Sequence, residues 1–213
     1  MPTPAHIAVM LSGGGRTLLN LITAIKAGKL CAVIDLVIAS RECPGAQHAR
    51  DAGLRTVVIP GVIPQEKLAS LLARHGIDWV VLSGYLKLVH IPPEYRGRVV
   101  NIHPALLPKF GGPGMYGERV HRAVLDSGDL LSGCTVHLCD EVFDRGQILH
   151  QKTCPVLPGD TPETLAKRVF AAECEAYPVA LQRLFTKGSQ GRTQSHQRAP
   201  EEHRGTKRRS TRL

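Results

Sequence analysis

Apolar residues in this chain come in short runs, separated by stretches with helical spacing. HIAVML (6–11) is the first run, and it meets the glycines of SGGGRT. Beyond them Leu18, Leu21, Ile22 and Ile25 share one helical face, and Gly28 stops that helix. AVIDLVIAS (32–40) reads as a second strand. PGAQHARDAG reads as a short helix with proline at its start and glycine at its end. TVVIP (56–60) is a third strand, PQEKLASLLARHG a helix, WVVLSG (79–84) a fourth strand, RVVNI (98–102) a fifth and YGERVHRAVLDSG a helix. GCTVHLC (133–139) and GQILHQKTCPV (146–156) close the strand series, and a short turn between them would let them pair antiparallel. The last helix, TPETLAKRVFAAECEAYPVALQRLF, opens at a Thr161 cap and bends near Pro178. This alternation predicts an α/β domain: a doubly wound, mostly parallel sheet with helices on both faces.

Composition adds limits. The 213 residues suit one domain, and 43% apolar residues suffice for a core that aliphatic side chains must fill, since aromatics are only 4%. No apolar run is long enough to span a membrane. MPTPAHIAVML has neither a basic n-region nor a cleavage site, so no signal peptide is expected. None of the six cysteines forms a C-x-x-C pair, and several lie in strand-like runs; buried thiols in a reducing cytoplasm fit better than disulfides or a metal. The net charge of +9 is concentrated. Residues 187–213 carry eight Lys/Arg against two Glu, a net of +6, which leaves +3 on the body. That segment has one large apolar residue, Leu213, so the domain is expected to end at 186 and a disordered basic tail to follow. KRR in the tail could bind RNA or anionic lipid weakly, though a solvated tail with no specific role fits better.

Ligands of such a sheet bind beyond the carboxyl ends of its strands, and four features fall there. Ser12–Thr17 is either a tight βα turn or an anion site at a helix N-terminus. It matches neither a Walker loop nor G-x-G-x-x-G, and a monophosphate suits it better than a dinucleotide. Asn101 and His103 project together from one strand; they either satisfy loop backbone or supply an oxyanion donor and a proton carrier. Asp144, in D-E-V-F-D-R-G (140–146), suits a turn, or could orient a histidine. G-G-P-G-M-Y-G (111–117) makes a specially shaped loop, with His121 following; His121 and His137 stay open between structural and functional roles. No histidine or cysteine grouping has metal-ligand spacing.

N-I-H-P-A-L-L-P-K-F, G-C-T-V-H, D-x-G-x-I-L and P-G-D-T-P-E-T-L-A-x-R-V, in that order over residues 6–186, resemble the folate-dependent formyltransferase superfamily, and within it the phosphoribosylglycinamide formyltransferases. The resemblance implies a Rossmann-like formyltransferase fold. It also implies formyl transfer from 10-formyltetrahydrofolate to the amine of 5'-phosphoribosylglycinamide in purine synthesis, without a metal. Asn101, His103 and Asp144 would be catalytic. Gly15, Arg16 and Thr17 would hold the phosphate, and Glu173 would contact the ribonucleotide. The pterin would lie between Leu86, Lys87, Leu88 and Val89 on one side and Asp140, Glu141, Val142, Phe143 and Asp144 on the other, with Asn101 beside it. A homodimer is compatible with this reading; nucleic acid, apart from weak tail contacts, is not an expected partner. A deformylase that uses water in place of the amine, and a non-catalytic folate- or nucleotide-binding module, are the competing readings. The chain departs from the pattern between Val58 and Asp78, which is short and lacks a matching Arg. Arg16, where a small polar residue is common, could compensate by pairing with phosphate.

Overall fold

The computed structural model describes the chain from residue 3 to residue 195. Seven strands form one sheet: β1 (Ala5–Leu11), β2 (Ala32–Ala39), β3 (Thr56–Val58), β4 (Trp79–Leu82), β5 (Val99–His103), β6 (Leu131–Leu138) and β7 (Ile148–Pro155). Five helices connect or flank them: α1 (Arg16–Lys26), α2 (Pro44–Asp51), α3 (Gln65–Arg74), α4 (Glu118–Ser127) and α5 (Pro162–Ser195), with a 3-10 turn at Pro93–Tyr95. The strand order is β3-β2-β1-β4-β5-β6-β7. The first five strands run parallel, and β6 is antiparallel to both β5 and β7.

Alternation along each strand feeds two cores. Ile7, Val9 and Leu11 of β1 pack with Trp79, Val81, Val100 and Ile102 against α1, α2, α4 and α5. Ala8 and Met10 turn the other way and meet Val80, Leu82 and Val99 under α3 and the segment around Tyr85, Val89, Ile91 and Tyr95. Parallel strands buried on both faces read as continuous apolar runs, as these did in the sequence. Among the described residues no helix is long and apolar enough to cross a membrane.

Two departures have physical reasons. The last two strands are joined by residues 139–147 rather than a short turn, and that loop carries Asp140–Asp144. Helix α5 runs through Pro178 to Ser195, past the boundary placed at 186. Proline leaves the carbonyl one turn earlier, that of Cys174, without its helical partner. Asn20 of α1 donates its Nδ2 to that oxygen at 3.1 Å. Of the segment read as a disordered tail, 187–195 thus continues the helix, and 196–213 lies outside the described residues.

Helix α5 is tied to the sheet by Tyr177. Its side chain is fully buried, and its hydroxyl reaches the carbonyls of Leu82 at 2.8 Å and Val100 at 3.1 Å, on adjacent strands. Glu173, one turn earlier, is thereby placed beyond the carboxyl ends of β4 and β5.

Candidate active site

β5 delivers two of the predicted groups. Asn101 and His103 leave the strand on the side of Val99, while Val100 and Ile102 enter the opposite core. β6 sets His137 opposite Asn101 and Thr135 opposite His103. Four polar side chains therefore gather across one strand pair.

The 139–147 loop brings Asp144 to this cluster. Its backbone at Asp144 is left-handed (φ 58), a conformation that costs a non-glycine residue energy. Gly146 allows the loop to press on β6, because a Cβ there would strike the Leu138 carbonyl. Asp144 Oδ2 lies 3.5 Å from His103 Nδ1 and accepts the Gly112 N–H at 2.9 Å. Oδ1 lies 3.5 Å from His137 Nε2. These imidazole–carboxylate separations exceed a good hydrogen bond, so the contact is electrostatic.

Backbone carbonyls fix both rings. A carbonyl only accepts, so His103 Nε2, 2.8 Å from the Phe110 oxygen, carries the hydrogen, and Nδ1 of the neutral ring is bare. His137 Nδ1 is 2.9 Å from the Leu138 oxygen, which leaves Nε2 to accept from Asn101 Nδ2 at 3.1 Å. An amide nitrogen has two hydrogens, so one N–H of Asn101 is still available to a ligand. Thr135 holds the loop between them: Oγ1 accepts the Leu107 N–H at 3.0 Å and donates to the Ala105 carbonyl at 2.7 Å.

Burial lowers the proton affinity of His103, while the Asp144 carboxylate and the Phe110 carbonyl raise it; burial prevails, and the ring rests neutral at pH 7. Burial alone would raise the Asp144 carboxyl. A proton on the facing ring of His137 or of His103, together with the Gly112 N–H, outweighs it and holds Asp144 below the usual aspartate range.

Across the cleft lies the glycine loop. Helix α1 starts after Gly15 (φ 75) with no side-chain cap and no acid in its first turn, so its N–H groups are open to an anion. Gly15 packs on Gly45 so tightly that a Cβ would collide with the Gly45 backbone. Ser12 pins the loop: its Oγ accepts from Ser40 Oγ at 2.7 Å and from the Leu86 N–H at 3.0 Å. A cavity of about 240 Å³ joins Asn101, His103 and Asp144 to Thr17, Leu86 and Glu173. A second, of about 450 Å³, runs from Thr17 and Glu173 along the glycine loop past Arg16 and Phe170.

Residues 5–181 match the formyl transferase family model. The chain belongs to the formyl transferase family. Its solved relatives include glycinamide ribonucleotide transformylase 1 from Symbiobacterium toebii, with a TM-score of 0.80 and 33% identity over 88% of this chain and 90% of that one. Phosphoribosylglycinamide formyltransferase from Brucella melitensis gives a TM-score of 0.77 and 38% identity over 85% of this chain and 96% of that one. The chloroplastic phosphoribosylglycinamide formyltransferase of Arabidopsis thaliana is 42% identical over 83% of this chain; the chain spans 64% of that relative's length.

In this formyl transferase family chain the predicted residues, Glu141 excepted, fall into three groups around one cleft. Asn101, His103 and Asp144 converge. Gly15, Arg16, Thr17 and Glu173 line the larger cavity. Lys87, Leu88, Val89, Asp140, Val142 and Phe143 border a recess of about 50 Å³ that also reaches Asn101 and Asp144. Glu141 stands apart: it is exposed, 3.9 Å from Arg96, and it lines a neighbouring depression with Ile91. Of the two histidines that the sequence reading left open, His121 is buried beside the larger cavity, and His137 joins the cluster of Asn101 and Asp144. Its signal was present in the strand pattern, since Thr135 and His137 alternate on the strand that pairs with Asn101 and His103.

Proposed function

We propose that this protein transfers the formyl group of 10-formyltetrahydrofolate to the amine of 5'-phosphoribosylglycinamide, in purine biosynthesis. The observation that carries the reading is the convergence of Asn101, His103 and Asp144 at one end of a cleft whose other end is an uncapped glycine-loop helix start. An amine acceptor bearing a phosphate bridges such a cleft, with its anion on the α1 N–H groups and its amine near His103.

The folate fits the other branch of the site. Leu88, Val89, Val142 and Phe143 form apolar walls for a flat ring system, Lys87 and Asp140 supply polar contacts, and the buried Tyr85 hydroxyl has no hydrogen-bond partner among the described residues. When bound, the folate presents an activated formyl carbon on its N10. The new bond joins the ribonucleotide nitrogen to that carbon, and the bond from carbon to N10 breaks.

Each residue then has a task. The second N–H of Asn101 donates to the formyl oxygen as negative charge develops there. His103, neutral at rest, accepts on Nδ1 the proton that the attacking amine must lose, and delivers it to the departing N10. Asp144 stabilises the transient imidazolium across 3.5 Å. His137 holds the Asn101 amide in register. Removing one oxyanion donor elsewhere costs about 10²–10³ in turnover. Asn101→Ala and His103→Ala are expected to lose at least that much while melting near the wild-type temperature. Wild-type turnover in either variant would overturn the assignment.

A further inference from the structure

One face of α5 borders the larger cavity. Glu163, Ala166, Phe170 and Glu173 follow each other at helical three- and four-residue steps and line the wall that faces the glycine loop. Phe170 stands half-buried on that wall, between the two carboxyl positions. Its neighbour gives it a use: the Arg16 guanidinium carbon lies 3.7 Å from the Phe170 ring centroid. Glu118, Glu163 and Glu173 all line this cavity, so an anionic ligand needs a local cation. Among the described lining residues Arg16 alone carries a fixed positive charge. No carboxylate forms an ion pair with it among the described residues.

We propose that Phe170 is a positioning residue for the phosphate contact expected of Arg16: its ring holds the Arg16 guanidinium at the cavity wall, beside the α1 N–H groups. This deepens the function proposed above and rests on it. An exposed arginine loses side-chain freedom when it closes on a ligand, and a ring that already carries the guanidinium removes part of that cost. The planar guanidinium stacks on an aromatic face and still offers its N–H edge to oxygen, which an ammonium does less well.

The test is calorimetric binding of ribose 5-phosphate to the full chain, alongside steady-state transfer. Arg16→Ser is expected to weaken ribose 5-phosphate binding about 10- to 100-fold, the range of a lost charge-assisted hydrogen bond. The same variant raises the ribonucleotide KM and leaves kcat within about threefold, because the reacting atoms are untouched. Phe170→Leu is expected to weaken binding about 2- to 30-fold, the range of a cation–π contact, whereas Phe170→Trp restores it. Unchanged binding in Arg16→Ser or in Phe170→Leu overturns the proposal, as does an equal loss in Phe170→Leu and Phe170→Trp. If Phe170→Leu does not fold, Phe170→Gln takes its place, judged by the same outcomes. The two readings fail separately. Wild-type protein that binds ribose 5-phosphate but transfers no formyl group sinks the function and leaves the pair standing; transfer with wild-type KM in both variants sinks the pair alone.

Discussion

Replacing Asp144 by Asn removes one charge with little change of shape. The Asn oxygen can still accept the Gly112 N–H now bonded to Oδ2, so the loop keeps its anchor. What disappears is the attraction between the carboxylate and an imidazolium 3.5 Å away. At an effective dielectric of 20 that attraction is about 5 kcal/mol, and water entering the site reduces the part that reaches the transition state. A surviving share of about 3–5 kcal/mol corresponds to a fall of roughly 10²–10⁴ in turnover. The pH profile carries a second signature. His103 works from its neutral form, so the rate falls as pH drops through its pKa. The carboxylate raises that pKa; without it the acid limb moves to lower pH. The assay is spectrophotometric release of tetrahydrofolate from pH 4.5 to 8.5, with circular dichroism to verify folding. Turnover within threefold of wild type, or an acid limb that stays fixed or moves upward, contradicts the role given to Asp144.

Two stability predictions follow from the site's supports. Burial pushes Glu173 up to about 7 from an ordinary 4.5, against the pull of Arg16. Between those values the native state holds a proton that the unfolded state releases, so stability falls as pH rises through that window; Glu173→Gln is expected to gain about 1–3 kcal/mol over wild type above pH 7 and nothing below pH 4.5, read by urea unfolding at both pH values. A gain that is equal at both pH values contradicts this. Asn20→Ala leaves the Cys174 carbonyl opposite Pro178 without its donor and is expected to cost about 1–3 kcal/mol, measured by the urea midpoint; an unchanged midpoint shows that the bond is not needed.

Much of the fold was legible because local pattern and global fold agree. Strands β1 and β4, and the second half of β2, are buried on both faces, and all three announced themselves as apolar runs. Helices α1 and α3 showed one apolar face each, and Gly28 and Gly76 mark their ends. Asn101 and His103 were legible as a pair because side chains on a strand alternate with a period of two. The place of Asp144 was not, since it depends on how residues 139–147 fold back over β5 and β6, which spacing along the chain does not encode. His137 was legible as a strand residue alternating with Thr135, but its role appears only once β6 is known to pair antiparallel with β5. The domain boundary was set at 186 because residues 187–213 are basic and nearly free of large apolar side chains, yet the helix itself continues to Ser195. Nor does spacing along the chain tell that Glu141 faces Arg96 while Val142 and Phe143 border the recess beside Asn101.

Direct attack by an amine on the formyl carbon is the claim on which the proposed function rests. Protein mixed with 10-formyltetrahydrofolate labelled with ¹³C at the formyl carbon, with and without 5'-phosphoribosylglycinamide, and followed by ¹³C NMR, tests it most directly. The prediction is that the label moves to the glycine nitrogen only when the ribonucleotide is present, and stays on the folate without it. Free labelled formate at the same rate in both mixtures would identify a hydrolase, and no movement of the label would identify a binding protein; either result contradicts the claim.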